Sequence, residues 1–314
     1  MIKNFFKNHP IHKKIVIYFD LFNLLAPLNY FLIWSMLSVG MYLGLFILDQ
    51  SPQFIINHHY KVFFLFFGIS TIMSSYYIDQ QLVQSNKRSS INFIKEKYSI
   101  NFIQKFNKYL IISGIVLLFF SSWINFLLGI ILFIFNKFLL KNHFNDNFIL
   151  RLIHQLLVGF IISTSGLIYV LHGNQMFPMI LVYLKLIMPY LFLYIGVFII
   201  LNLKEFNDYK TSKLLCLISS LLIIFGILLS IQFNEPLASI SLIVSLPFFL
   251  YSLIRGLNKD YQRVYTYPLA ILNFFCMTIF PYLFVLSFIV FYLTKYYNWH
   301  RFNFHFPTFL VEND

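Results

Sequence analysis

The sequence predicts an all-α polytopic membrane protein of nine transmembrane helices, with residues 1–314 forming a single transmembrane domain. Three observations carry that prediction. Hydrophobic residues make up 59% of the chain and charged residues 11%, where ordinary soluble domains carry about 25% charge. Apolar runs near the ~20 residues needed to cross hydrocarbon recur along the whole length, and mean hydropathy is +0.75. Basic residues also sort to alternate loops, as they do when they are retained on the cytoplasmic side.

Residues 1–27 hold Lys3, Lys7, Lys13 and Lys14 and then YFDLFNLLAP, an interfacial helix ahead of the first span. They are basic and aromatic with no small-residue cleavage site, so no removable leader is read there. Apolar spans follow at 28–48, 62–82, 107–122, 124–140, 149–172, 177–201, 213–232, 236–254 and 267–294. The stretch 107–140 reads as one long helix or as two short ones around Ser121, Ser122 and Trp123. Charge decides for two. With nine spans and the N-terminus inside, nineteen of the 23 lysines and arginines fall on the cytoplasmic side. Only Lys61, Lys295 and Arg301 fall outside, and Lys185 lies within a span. Merging the two helices would move the later basic loops outward and destroy this asymmetry. The C-terminus, residues 295–314, is then an external tail, aromatic and basic as an interfacial anchor would be. Multi-pass insertion in the inner, cytoplasmic membrane follows. The richness in Phe, Ile, Asn, Lys and Tyr points to an AT-rich coding sequence and so to a bacterium.

The longest cytoplasmic loop, 83–107, repeats SINFI at 90–94 and 99–103, which suggests a short amphipathic helix over the membrane face. A second polar loop, NLKEFNDYKTSK at 202–213, follows the sixth span. The net charge of +12 needs no nucleic acid, because cytoplasmic lysines account for it. Cys216 and Cys276 lie far apart in apolar runs and read as buried small hydrophobes. The sequence lacks a phosphate-binding G-x-x-x-x-G-K loop, an H-E-x-x-H pair and a cysteine cluster.

Chemistry concentrates in SYYIDQQLVQSNKR, residues 75–88. Asp79 is the only acid in the second span, and an acid in hydrocarbon needs a partner or a task. Ser75, Asp79 and Val83 share one helical face, and Asn86, Lys87 and Arg88 emerge next, an arrangement able to hold phosphate. The plainer alternative is a hydrogen-bonded acid at a helix end followed by ordinary cytoplasmic bases. Asp208, after the sixth span, stands at the depth of Asp79. Two carboxylates so placed can hold Mg²⁺ and bridge to a diphosphate, with neighbouring bases neutralising the same phosphates. His154, one turn from Arg151, is a candidate general base or a helix-packing histidine. Lys185, about 12 Å into its span, pairs with an acid or reaches for the interface.

Nine helices with polar motifs in the 2–3 and 6–7 loops resemble the UbiA family of intramembrane prenyltransferases. That family's first motif is N-x-x-x-D-x-x-x-D with an N-[RK]-P-like segment after it. Placing that segment on Asn86, Lys87 and Arg88 sets Ser75 on the Asn, Asp79 on the first Asp and Val83 on the second. Asn207, Asp208 and Lys210 match the end of the second motif, while Leu201 and Lys204 stand where further acids are expected. Arg151, His154, Gln155 and Gly159 match a polar, glycine-containing fifth helix. The resemblance implies Asp79 and Asp208 as catalytic Mg²⁺ ligands. It implies Ser75, Asn86, Lys87, Arg88, Lys204, Asn207, Lys210 and His154 as substrate contacts. Prenyl transfer from an isoprenyl diphosphate to an aromatic or lipid acceptor is the implied reaction. With one acid left per loop, weak or absent catalysis with lipid binding preserved is expected. A non-catalytic lipid-binding or structural subunit, and a small-molecule transporter, remain the alternatives.

Overall fold

The computed structural model describes residues 10–49, 59–83, 98–141, 147–171, 176–203, 209–277 and 280–302. Eleven α-helices account for nearly all of them: α1 Pro10–Leu24, α2 Tyr30–Leu48, α3 His59–Val83, α4 Ile100–Ser121, α5 Trp123–Lys141, α6 Phe148–Val170, α7 Met176–Leu201, α8 Tyr209–Gln232, α9 Pro236–Arg255, α10 Asn258–Cys276 and α11 Tyr282–Phe302. Eight of these, α2 to α9, are long and apolar enough to cross a membrane. The all-α polytopic class is as the sequence predicted.

The break in 107–140 is real and local. Ser122 is extended at φ −166°, ψ 155°, and its amide caps the Leu118 carbonyl. Its hydroxyl then accepts from the Asn125 amide at 3.1 Å, which opens α5 and folds the stretch into a helical hairpin.

Two expectations differ from the structure. The span 267–294 is not one helix: α10 starts earlier, at Asn258, and ends at Cys276, and α11 starts at Tyr282. Pro281 stands at the break, lacking an amide hydrogen and crowding the preceding turn, so a helix cannot continue through it undisturbed. The apolar parts, Tyr267–Cys276 and Tyr282–Tyr297, are correspondingly shorter than the eight full spans. The second SINFI copy does not belong to a separate surface helix either. Ser99 is the N-cap of α4, accepting from the Phe102 amide, and 100–103 form its first turn. The first copy lies outside the described residues.

The chain divides into two compact units. One holds α1, α3 from Phe64, α4, α5 and α11 from Val285. Here Leu24, Ile78 and Ile103 form a small core that joins the end of α1 to α3 and α4. Asp20 of α1 is fully buried and accepts from the Tyr297 hydroxyl at 2.9 Å. The Tyr30 and Ser74 hydroxyls are hydrogen-bonded at 2.7 Å.

The other unit holds α2 from Phe31, together with α6 to α10. Helices α2 and α6 meet backbone to backbone. A Cβ at Gly40 would collide with the Ser163 carbonyl, and one at Gly166 with the Leu37 carbonyl. Such close approach is how apolar helices gain packing where no water drives them together. Outward faces are studded with Leu, Ile and Phe, as on α8 at Leu214, Leu217, Leu221, Phe225 and Leu228. Cys216 and Cys276 are buried free thiols. Lys185 is exposed on α7, where its stem can run along the helix toward the interface.

Candidate functional site: a lysine-paired acid at the end of α3

Asp79 lies four residues from the C-terminal end of α3, inside the first unit. Its two carboxylate oxygens face different helices. Oδ1 accepts from Asn107 Nδ2 of α4 at 2.7 Å. Oδ2 is ion-paired with the Lys137 ammonium of α5. The pair is partly open, the side chains of Lys137 and Asp79 being 42% and 20% exposed. Asn136, the residue before Lys137, is buried and donates to the Met73 sulfur at 3.5 Å.

Asp79, Asn136 and Lys137 line a small cleft between α3 and α5. From α3 it is lined by Ile72, Ser75, Tyr76 and Asp79, and from α5 by Phe133, Asn136, Lys137 and Leu140. The cleft is closely packed, with little surface open within it, while the Lys137–Asp79 pair at its edge is partly exposed. Ser75 and Asp79 therefore do share a face. Val83, the third predicted member of it, closes α3, and its side chain is not among those described.

Asn107, Asn136 and Lys137 were not singled out from the sequence. A signal for the two asparagines does exist. Buried positions on α4 run Ile103, Asn107, Gly114, Leu118, Ser121, and on α5 they run Asn125, Gly129, Leu132, Asn136, Leu139. Both rows follow the helical period and mix small and polar residues, the composition of a packed membrane interface. Lys137 stands one residue off that row and carries no such mark.

The remaining predicted site residues divide. Asn86, Lys87, Arg88, Lys204, Asn207 and Asp208 lie outside the described residues. Lys210 is exposed in the first turn of α8, in the second unit. His154 is buried on α6 in that same unit, in a polar row with Arg151 and Gln155. The Tyr194 hydroxyl donates to Gln155 Oε1 at 2.9 Å, and its ring lies where a Cβ at Gly159 would stand 3.2 Å away.

A further polar centre, also unforeseen, surrounds Glu235 in the turn between α8 and α9. Glu235 is wholly buried and caps α9, with Oε2 accepting from the Ala238 amide at 2.5 Å and the Tyr190 hydroxyl at 2.9 Å. Oε1 makes no hydrogen bond of good geometry among the described residues, though the Tyr42 phenol stands close enough to act on the carboxyl. Burial pushes the carboxyl above the usual range, opposed by the Ala238 amide and by the Tyr42 and Tyr190 phenols. In the sequence this acid looks like an ordinary turn residue.

Mg²⁺ demands a near-octahedral shell of oxygens. Among the described residues no group of three His, Cys, Asp or Glu side chains comes together. At Asp79 one oxygen is committed to an amide and the other to an ammonium, so a cation already stands on the carboxylate. The described donors do not fit a divalent ion.

No protein-family model matches the chain, and no curated protein matches it. A solved structure does: that of digeranylgeranylglyceryl phosphate synthase in membranes, a UbiA-type intramembrane prenyltransferase. The alignment covers 82% of this chain and 97% of that one at 18% identity, with a TM-score of 0.50. The chain thus has a polytopic helical fold similar to that of a membrane prenyltransferase.

Proposed function

We propose that this protein handles isoprenoid phosphates in the membrane and is of the prenyltransferase type. It binds an isoprenyl diphosphate with the head group at the Asp79 cleft and the prenyl chain in the apolar interior. The observation that carries the reading is the meeting of Asp79, Asn107 and Lys137 beside Ser75 and Asn136 at one end of α3. In apolar surroundings such a set of donors is costly unless it is satisfied internally or used on a polar ligand. The likeness in fold to a membrane prenyltransferase supports the choice of ligand class.

The reaction of that class breaks the carbon–oxygen bond between the allylic carbon and the diphosphate. The carbon joins an aromatic or lipid acceptor, which gives up a proton to water, and pyrophosphate leaves. What the described residues contribute is placement: Asn107 orients the Asp79 carboxylate, and the carboxylate holds the Lys137 ammonium over the cleft.

A second reading, binding without turnover, is favoured by one specific feature. The carboxylate is neutralised within the protein and is not displayed to a metal. The two readings separate in an assay of labelled isoprenyl diphosphate with quinone-precursor and lipid acceptors, with and without Mg²⁺. Transfer that is lost in Asp79→Ala supports the enzyme. Retained ligand without product supports the binder. Neither binding nor transfer would end the proposal.

A further inference from the structure

The geometry points to Lys137 as the cation of the site: we infer that the Asp79 cleft recognises a phosphate-bearing head group without a divalent ion. Asp79 in this account is the counter-ion that stores the ammonium and is not a metal ligand. The inference rests on the phosphate-binding reading given above.

Both oxygens of Asp79 are already used, one by Asn107 and one by Lys137. A metal ion at Oδ2 would first have to expel the lysine, and two cations on one carboxylate repel each other. A phosphate has the opposite relation to the pair. It competes with Asp79 for the same ammonium, and a lysine on a flexible four-carbon stem can turn from one anion to the other. The exposure of the pair permits this, since the Lys137 side chain is 42% exposed where Asp79 is 20%. Released from lysine, Asp79 keeps its bond from Asn107, so the apo and bound states both leave its charge partnered.

The account makes a prediction whose sign distinguishes it from a metal site. Removing the charge of Asp79 removes the competitor for Lys137, so phosphate binding tightens. If Asp79 instead holds a metal that bridges to phosphate, the same change weakens binding. An exposed ion pair sets the scale, so the gain is about fivefold or less.

The test is calorimetric titration of the purified full chain, in EDTA and in Mg²⁺, with inorganic pyrophosphate and with farnesyl diphosphate. Nanodiscs with and without phosphatidic acid form a third arm, which distinguishes a bilayer headgroup from a free diphosphate. The expected result is binding in EDTA that Mg²⁺ does not improve. Lys137→Met should weaken it at least tenfold, and Asp79→Asn should tighten it. Should Lys137→Met fail to fold around an unpaired Asp79, the double variant Asp79→Asn with Lys137→Met removes both charges and should bind as weakly. Binding only in Mg²⁺, and weakened by Asp79→Asn, would overturn the inference while leaving the phosphate reading intact. No binding of any of the three probes in either buffer would overturn both.

Discussion

Two substitutions at Glu235 separate what its shape contributes from what its charge costs. Glu235→Gln keeps an oxygen for the Ala238 amide and the Tyr190 hydroxyl, and it replaces Oε1 with an amide that can donate to the Tyr42 oxygen. Glu235→Ala removes both acceptors. Loss of an N-cap costs about 0.5–2 kcal/mol, and a buried hydroxyl left without a partner about 1–3 kcal/mol. Together they make Glu235→Ala roughly 1.5–5 kcal/mol less stable. The pH dependence has a definite sign. Burial holds the folded carboxyl above its unfolded value, so the folded state binds the proton more tightly. Stability from this group is complete below the unfolded value near ~4.3 and is lost as pH rises through the raised folded value. The difference in melting temperature between wild type and Glu235→Gln, measured on the detergent-purified chain from acid to mildly alkaline pH, isolates this one group. The glutamine variant should gain on wild type as pH rises and exceed it at the alkaline end. A glutamine variant as unstable as the alanine variant, with a gap to wild type that does not change with pH, would refute the reasoning.

Gly40→Ala and Gly166→Ala each force a methyl into backbone of the facing helix. Each should cost about 1–3 kcal/mol in thermal or SDS denaturation, with the double variant costing less than the sum because both act on one interface. Asp260, fully buried, lies 3.4 Å from Arg255 Nε and 3.2 Å from an Arg263 terminal nitrogen, around the left-handed Gly256. Asp260→Ala should therefore speed amide exchange at 256–263, with little effect at the far ends of α9 and α10. For topology, a cysteine at Glu96 should be labelled in cells only after permeabilisation, and one at Glu312 without it. Labelling of both from the same side would contradict an odd number of crossings.

What the sequence showed well was what depends on one segment at a time. Apolar length located the spans, and the charge asymmetry correctly split 107–140 even though hydropathy barely dips at Ser122. What it showed poorly depends on pairs of segments. Asp79 was conspicuous as a lone acid in an apolar run, but its partners lie 28 and 58 residues away on helices whose facing cannot be read from hydropathy. Lys137 was counted among nineteen cytoplasmic bases, because a lysine at a helix end looks the same whether it meets water or an aspartate. Glu235 was passed over for the parallel reason that turn acids are ordinarily solvated. Pro281 was visible, yet it was absorbed into a 28-residue apolar run from 267 to 294. A run that long holds more than one crossing needs, but a proline alone does not locate the break, since Pro268 of the same run lies inside α10.

The central claim is that the Asp79 cleft holds an isoprenoid phosphate, and native mass spectrometry of the protein taken from its own membrane tests it most directly. The account predicts a retained adduct with the mass of an isoprenoid phosphate or diphosphate, lost in Lys137→Met while the variant keeps its fold. A spectrum showing only bulk phospholipids, unchanged by Lys137→Met, would contradict it.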